Sequence, residues 1–433
     1  MKILLNNVAV VPVTGPDSLI EKGYLVIEGN LIKELGEGVP PDDAYDKVID
    51  GTDKAVLPGL INTHTHAAMT LLRGYADDLP LMEWLETKIW PLEAKLTSED
   101  IYWGTMLAVV EMIKSGTTTF ADMYFSMEQV ARAVKESGMR GVLARGMIGV
   151  GPDSEKAIIE SEDLVARWHK AANERILCML GPHAPYTCPP GYLQQVAKIA
   201  GDLQVGIHIH VSETRKEFED FINQYGKTPV EYLEDVGILQ CGTLAAHCVH
   251  LSDRDIEILK KHNVGVAHNP ESNMKLASGV APVPDMLEAG LRVALGTDGA
   301  SSNNDLDMIQ EMRTCALLHK VSKMDPTVLP AYQVLEMATA NGAKVLGLEG
   351  KIGQLAPEFK ADMILINLKG AHMTPCHDIL ANIVYSAKAG DVDTVIIDGN
   401  IVMEDRKVKT IDEEEILSRS GIIAKNLVKR VGM

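Results

Sequence analysis

The stretch Ala55-Val56-Leu57-Pro58-Gly59-Leu60-Ile61-Asn62-Thr63-His64-Thr65-His66 decides the reading of this chain. An apolar run ending in H-x-H reads as a β-strand. On a strand the two imidazoles project from the same side, because side chains alternate with period two. Neutral imidazoles at that spacing can hold one divalent metal. A pair of polar residues at a strand end is the plainer account of H-x-H alone, so the weight falls on the ends of the other strands.

Short β-branched runs recur through the middle of the chain, near residues 55–63, 117–123, 140–148, 176–182, 204–211, 242–249, 264–268 and 291–297. Helix-like segments separate them. Ser98-Glu99-Asp100 opens one with acids in its first turn, Gly116 closes it after Lys114, and Leu107, Val110, Glu111 and Lys114 divide an apolar from a polar face. Eight β–α units predict an α/β fold, a (β/α)8 TIM-like barrel over residues 58–349 with its site at the strand C-termini. A doubly wound open sheet is the alternative, but no G-x-G-x-x-G opens a helix.

The two ends share another character. Tyr24-Leu25-Val26-Ile27-Glu28-Gly29-Asn30-Leu31-Ile32 and Thr394-Val395-Ile396-Ile397-Asp398-Gly399-Asn400-Ile401-Val402 each place a Gly-Asn turn between alternating runs, as short hairpins do. Neither end can bury two sheets alone. A small β-sandwich domain built from residues 1–57 plus 350–433, C-terminal helix included, is expected.

The barrel reading can be tested on the polar residues. His64 and His66 end the first run, and His183 follows the fourth. His208-Ile209-His210-Val211-Ser212-Glu213 closes the fifth, Ala245-Ala246-His247 the sixth and Gly296-Thr297-Asp298-Gly299 the eighth. These groups would converge on one rim. His64, His66 and His210 would supply three nitrogens and Asp298 an oxygen, leaving a position open for water, as catalytic zinc sites do. Bound water then has its pKa lowered to about 7. His208 reads as a packed residue supporting the ligands. Glu213, three residues beyond His210, can shuttle protons from outside the metal's ligand set, although Ser212-Glu213-Thr214 also looks like a helix cap. His247 can orient the water, while His250 and His268 read as structural.

The bulk numbers narrow the partners. The 433 residues carry 41 Lys+Arg against 60 Asp+Glu, a net charge of −19. Such a chain is a poor binder of phosphate backbones, so no nucleic-acid partner is expected. No apolar stretch reaches the ~18–20 residues that span a bilayer, and the N-terminus has no signal-peptide core, so no membrane partner is expected either. Cys178, Cys188, Cys241, Cys248, Cys315 and Cys376 form no C-x-x-C pair and read as thiols in a reducing cytoplasm. A homo-oligomer stays open.

Pro58-Gly59-Leu60-Ile61-Asn62-Thr63-His64-Thr65-His66, the fifth-strand motif, Ala246-His247-Cys248 and Gly296-Thr297-Asp298-Gly299 together resemble the amidohydrolase superfamily over essentially the whole chain. Ile176-Leu177-Cys178-Met179-Leu180-Gly181-Pro182-His183 offers no Lys or Glu to bridge two metals, so one divalent metal is expected, Zn²⁺ first with Fe²⁺ or Mn²⁺ as alternatives. Trp90-Pro91-Leu92-Glu93, the segment from His268 to Gly279 and Asp298-Gly299-Ala300-Ser301-Ser302-Asn303-Asn304 are similar to the 5′-methylthioadenosine/S-adenosylhomocysteine deaminases.

The resemblance implies hydrolytic deamination of the 6-amino group of adenine nucleosides, giving an inosine-type product and ammonia. It puts the metal on His64, His66, His210 and Asp298, and catalysis on Glu213, His247 and Asp298. Substrate contacts fall to Glu93, Arg145, His183, Glu213 and Asp298, with Glu93 on the ribose hydroxyls and Arg145 near the polar tail. Without the resemblance, Glu93 reads equally as a solvated helix residue and Arg145 as a buried ion-pair partner. Trp84 and Trp90 would line an apolar wall. A second Arg expected near position 155 for an amino-acid tail is Glu155 here, which weakens the case for a strong S-adenosylhomocysteine preference. The enzymatic alternative is a related amidohydrolase acting on guanine, a pyrimidine or a triazine. A metal-free scaffold on the same barrel would have lost the ligand histidines, and all of them are present.

Overall fold

The computed structural model describes residues 1–431. Its centre is a parallel sheet of eight strands in chain order: Leu60–Thr65, Thr117–Tyr124, Arg140–Met147, Ile176–Pro182, Ile207–Val211, Thr243–His247, Gly265–His268 and Arg292–Leu295. The first and eighth strands meet through polar groups: Thr63 Oγ1 donates to Leu295 O (2.8 Å), Thr297 N to Asn62 Oδ1 (3.0 Å) and Asp298 N to His64 O (2.9 Å). This closes the sheet into the barrel. Its strands are buried on both faces, which is why they read as near-continuous apolar runs rather than alternating ones. Some of the helices between them are capped by their own sequence. Thr97 and Asp100 form a capping box on Ser98–Lys114, as do Ser252 and Asp255 on Asp253–Lys261.

The run at 55–63, expected as one strand, divides at Gly59. Lys54–Pro58 pairs antiparallel with Met363–Asn367 in a second sheet, and only Leu60–Thr65 enters the barrel. Gly59 is required by the crossing, because a Cβ there would lie 2.1 Å from Thr118 Oγ1.

The second sheet joins both ends of the chain in nine strands. Lys2–Val10 is bulged; its first half pairs with Lys47–Asp50 and its second with Lys54–Pro58. Met363–Asn367 shows the two-sided role of this layer. Met363 and Leu365 pack with Ile3, Leu5, Leu25 and Ile27 in a core of its own, while Ile364 and Ile366 join the barrel-side core. The two Gly-Asn hairpins meet each other. Asn30 Nδ2 donates to Asp398 Oδ1 (3.0 Å), and a Cβ on Gly399, itself at φ 73°, would lie 2.1 Å from Gly29 O. Asp398 N in turn donates to Asp362 Oδ1 (2.7 Å). The C-terminal helix Glu413–Arg430, grouped with the terminal sheet on sequence grounds, packs along the barrel helix Ser98–Lys114: Ser420 Oγ donates to Trp103 O (3.1 Å) and Lys114 Nζ to Glu413 Oε1 (2.8 Å). No helix among the described residues is long and apolar enough to cross a membrane.

Candidate active site

The C-terminal ends of the barrel strands converge as the alternating side chains require. His64 and His66 leave the first strand, His210 the fifth, His247 the sixth, and Asp298 the loop after the eighth. His66 Nδ1 donates to Met123 O (2.6 Å) and His210 Nδ1 to His183 O (2.7 Å), because a carbonyl can only accept. On neutral rings both Nε2 atoms are then lone pairs, and they face each other at 3.3 Å. Asp298 Oδ1 lies 3.3 Å from His66 Nε2 and 3.5 Å from His64 Nε2. His64 Nε2 is buried without a hydrogen-bond partner, while its Nδ1 is engaged by His208 Nε2 (2.8 Å). Lone pairs and a carboxylate oxygen gathered this closely call for a cation among them. Three imidazoles and one carboxylate are a donor set suited to a divalent metal with a position left open.

The electrostatics fit that charge. Burial lowers His64 to about 3, and burial with neighbouring imidazoles holds His210 well below the ordinary histidine value, so both rings stay neutral. Burial acts to raise the Asp298 carboxyl, but His64, His66 and His247 hold it well below the usual carboxylate range. Its second oxygen accepts from Ser272 Oγ (2.7 Å) and Ser302 Oγ (2.8 Å).

Glu213 and His247 stand beside these groups, with His247 Nε2 4.0 Å from Glu213 Oε2. Burial raises the Glu213 carboxyl above the ordinary glutamate value, His247 opposing. Burial lowers His247, but Glu213 and Asp298 outweigh it and raise the imidazole. Its Nδ1 lies 2.9 Å from Asn273 Oδ1, which turns Nε2 toward Glu213. The backbone here is strained. His247, Asp298 and Ser212 all hold positive φ (74°, 63° and 51°), where a side chain costs about 1–3 kcal/mol.

A cavity opens above these residues. His66, His210, Glu213, His247 and Asp298 line its polar side, and Trp84, Trp90, Leu81, Leu85, Phe125 and Ile148 its apolar wall. Glu93 and His183 also line it. Tyr124 Oη donates to Glu93 Oε1 (2.7 Å), opposing the rise that burial imposes on that carboxyl. Burial lowers His183 to about 4, and its Nδ1 meets Thr187 Oγ1 at 3.0 Å.

Arg145 lies outside this cavity, in an adjoining one that shares Trp90, Glu93, Phe125 and Ile148 with it. Its guanidinium is held by Glu160, and it also donates to Gly146 O and lies over the Phe125 ring. Glu155 is exposed on the first turn of Ser154–Trp168 and lines neither cavity; Asp153 lines the outer one. His250 bonds Ser278 O (2.7 Å) and His268 bonds His319 (3.1 Å), both away from the metal donors. Several supporting residues escape sequence reasoning: Ser272 and Ser302 on Asp298, Asn273 on His247, Tyr124 on Glu93, and Glu217 beneath Glu213. Only Asn273 and the two serines sit inside motifs singled out above.

The chain is similar to known proteins along most of its length. Residues 55–402 match the profile of the Amidohydrolase family. The 5-methylthioadenosine/S-adenosylhomocysteine deaminase of Syntrophomonas wolfei is 66% identical, covering 99% of this chain and all of that protein. The protein of the same name from Pelotomaculum thermopropionicum is 56% identical over 99% of both chains. Among solved structures, an adenosine deaminase from Xanthomonas campestris with bound zinc superposes with a TM-score of 0.94 at 32% identity, covering 99% of this chain and 98% of that one. An atrazine chlorohydrolase from Arthrobacter aurescens complexed with zinc shares the fold (TM-score 0.91, 24% identity, 98% of this chain and 100% of that one). On a match that runs from residue 55 to residue 402 and takes in all eight barrel strands, the chain belongs to the amidohydrolase family.

Proposed function

We propose that this protein hydrolytically deaminates the 6-amino group of adenine nucleosides — 5′-methylthioadenosine, S-adenosylhomocysteine and adenosine — releasing ammonia. The observation that carries the reading is the pairing of Glu213, a buried carboxyl raised in pKa, with convergent metal donors at the base of a largely apolar cavity. The deaminase names of relatives up to 66% identical support it.

His64, His66, His210 and Asp298 would hold one divalent ion per chain, zinc first, as in the zinc-bound adenosine deaminase above. When bound, the metal makes water nucleophilic at neutral pH. Glu213, kept able to carry a proton by its burial, donates it to N1 of the purine as that nitrogen gains charge. Asp298 accepts the proton released by the attacking water and passes it to the departing amine. His247, aimed by Asn273, hydrogen-bonds the oxygen that joins C6. Glu93 accepts from the ribose hydroxyls through the oxygen that Tyr124 leaves free. The indoles of Trp84 and Trp90 exclude water from the face of the nucleoside. The six thiols, all unpaired, fit a reducing cytoplasm.

The test is ultraviolet absorbance near the adenine band with metal-replete protein and the three nucleosides in parallel. A fall abolished by chelator is expected, and Glu213→Gln should retain metal and fold while losing most turnover. No change with any of the three despite a stoichiometric metal overturns the reading in favour of guanine, a pyrimidine or a triazine.

A further inference from the structure

The turn that carries Glu213 rests on a second carboxylate. Glu217 Oε1 accepts from Ser212 N (3.0 Å) and Oε2 from Glu213 N (2.9 Å), so both oxygens hold consecutive backbone amides of one turn. Glu217 is the third residue of the helix Arg215–Tyr225, whose N-cap Thr214 accepts from Glu217 N (3.2 Å). A glutamate at that position ordinarily reaches back to the N-cap amide. Here it passes over Thr214 and takes the two amides before it. Its 6% exposure leaves no water to replace those bonds. The same turn is fastened on its other side, because Ser212 O accepts from Val249 N (3.1 Å) and His250 N (3.0 Å) in the loop that follows His247. Ser212 at φ 51° is not a conformation that a serine adopts unaided.

We propose that Glu217 is a positioning residue for the reaction. It fixes the Ser212–Glu213 backbone so that the Glu213 carboxyl stands at the purine nitrogen, and it acts only through Glu213. The inference rests on the reading of Glu213 as the proton donor. Two bonds from one carboxyl group to successive amides specify both the position and the tilt of the turn. A misplacement of about 1 Å in a reacting group can cost about 100-fold in rate. A mere helix staple would leave the chemistry unaffected once the protein is folded.

The test is a double-mutant cycle on the metal-replete enzyme, with kcat and KM measured on 5′-methylthioadenosine for wild type, Glu217→Gln, Glu213→Gln and the double variant. Metal content and melting temperature are read alongside. Gln keeps one acceptor and turns an amide N–H toward the second backbone N–H. The expected result is a loss in kcat of about 10- to 100-fold for Glu217→Gln, with KM within about threefold and metal content unchanged. In the Glu213→Gln background the same substitution should change the residual kcat by less than about twofold. A kcat within twofold of wild type for Glu217→Gln overturns the proposal, as does an equal loss in both backgrounds. If Glu217→Gln does not fold, Glu217→Asp, which keeps the carboxyl group but cannot span both amides, takes its place in the same cycle with the same two criteria. Wild-type protein inactive on every adenine nucleoside would instead overturn the deaminase reading itself.

Discussion

Arg140 and Asp362 form a two-pronged ion pair, Nε to Oδ2 at 2.8 Å and Nη2 to Oδ1 at 3.1 Å, with both side chains at most 3% exposed. It joins the first residue of the third barrel strand to the residue that precedes Met363–Asn367, an inner strand of the terminal sheet. Asp362 also accepts from Asp398 N, so each of its oxygens is engaged. Removing one partner leaves a buried charge alone, which costs about 3–5 kcal/mol. Arg140→Ala should therefore lower the urea midpoint by an amount equivalent to that loss, measured by circular dichroism, with little change in the kinetics of the remaining folded protein.

Metal loss should appear in stability as well as in turnover. The facing Nε2 atoms of His66 and His210 gain from an ion that the unfolded chain does not hold in place. Chelation should lower the melting temperature and restoring zinc should recover it. His210→Ala should bind less than about a tenth of the wild-type metal per chain when plasma emission spectroscopy reads the content.

The outer cavity bears on substrate choice. Glu160 Oε2 accepts from Arg145 Nε (2.9 Å) and Nη2 (2.8 Å), and Asp153 adds a further negative charge nearby. A nucleoside tail ending in a carboxylate must displace Glu160 to reach the guanidinium. We expect kcat/KM to favour 5′-methylthioadenosine over S-adenosylhomocysteine. A partly exposed pair is worth up to ~1 kcal/mol, so Glu160→Gln should raise the S-adenosylhomocysteine value about fivefold relative to 5′-methylthioadenosine. A ratio that falls would mean that Glu160 binds the tail's ammonium group.

Stability should also depend on pH through Asp305. Burial raises its carboxyl from 3.8 to about 7, with Glu271, Asp307 and Glu111 adding to the rise against the bond from Asp307 N. A folded-state pKa above the unfolded one means stability is fully present below about pH 4 and is lost as pH rises through 7. Asp305→Asn removes that loss. Its melting temperature should gain on the parent progressively from pH 4 to pH 7, and the gain should level off above pH 8.

Much of the barrel was legible because its strands are buried on both faces and end in residues that apolar burial does not explain. His64, His66, His210, His247 and Asp298 each follow such a run, so period-two geometry alone sends them to one rim. The break at Gly59 was not legible, since Ala55–Pro58 and Leu60–Ile61 read as one apolar run and differ only in which sheet accepts them. Glu217 was hidden for another reason. A glutamate at the third position of a helix reads as an ordinary cap, and its reach to Ser212 and Glu213 depends on a left-handed serine that composition does not announce. Arg145 was visible as a charge needing a partner, but Glu160 lies on the following helix, and no sequence spacing names it.

The meeting of the two Gly-Asn hairpins has a consequence for biosynthesis. Asn30 and Asp398 are separated by 368 residues, so the N-terminal strands leave the ribosome long before the strands that complete their sheet exist. At ~5–20 residues per second that interval is about 20–70 s. For most of it, Lys54–Pro58 carries an open edge able to pair with a nascent neighbour, until Met363–Asn367 is made. The barrel must begin to assemble beside an unfinished layer, and the arrival of Met363–Glu404 is the step that seals it.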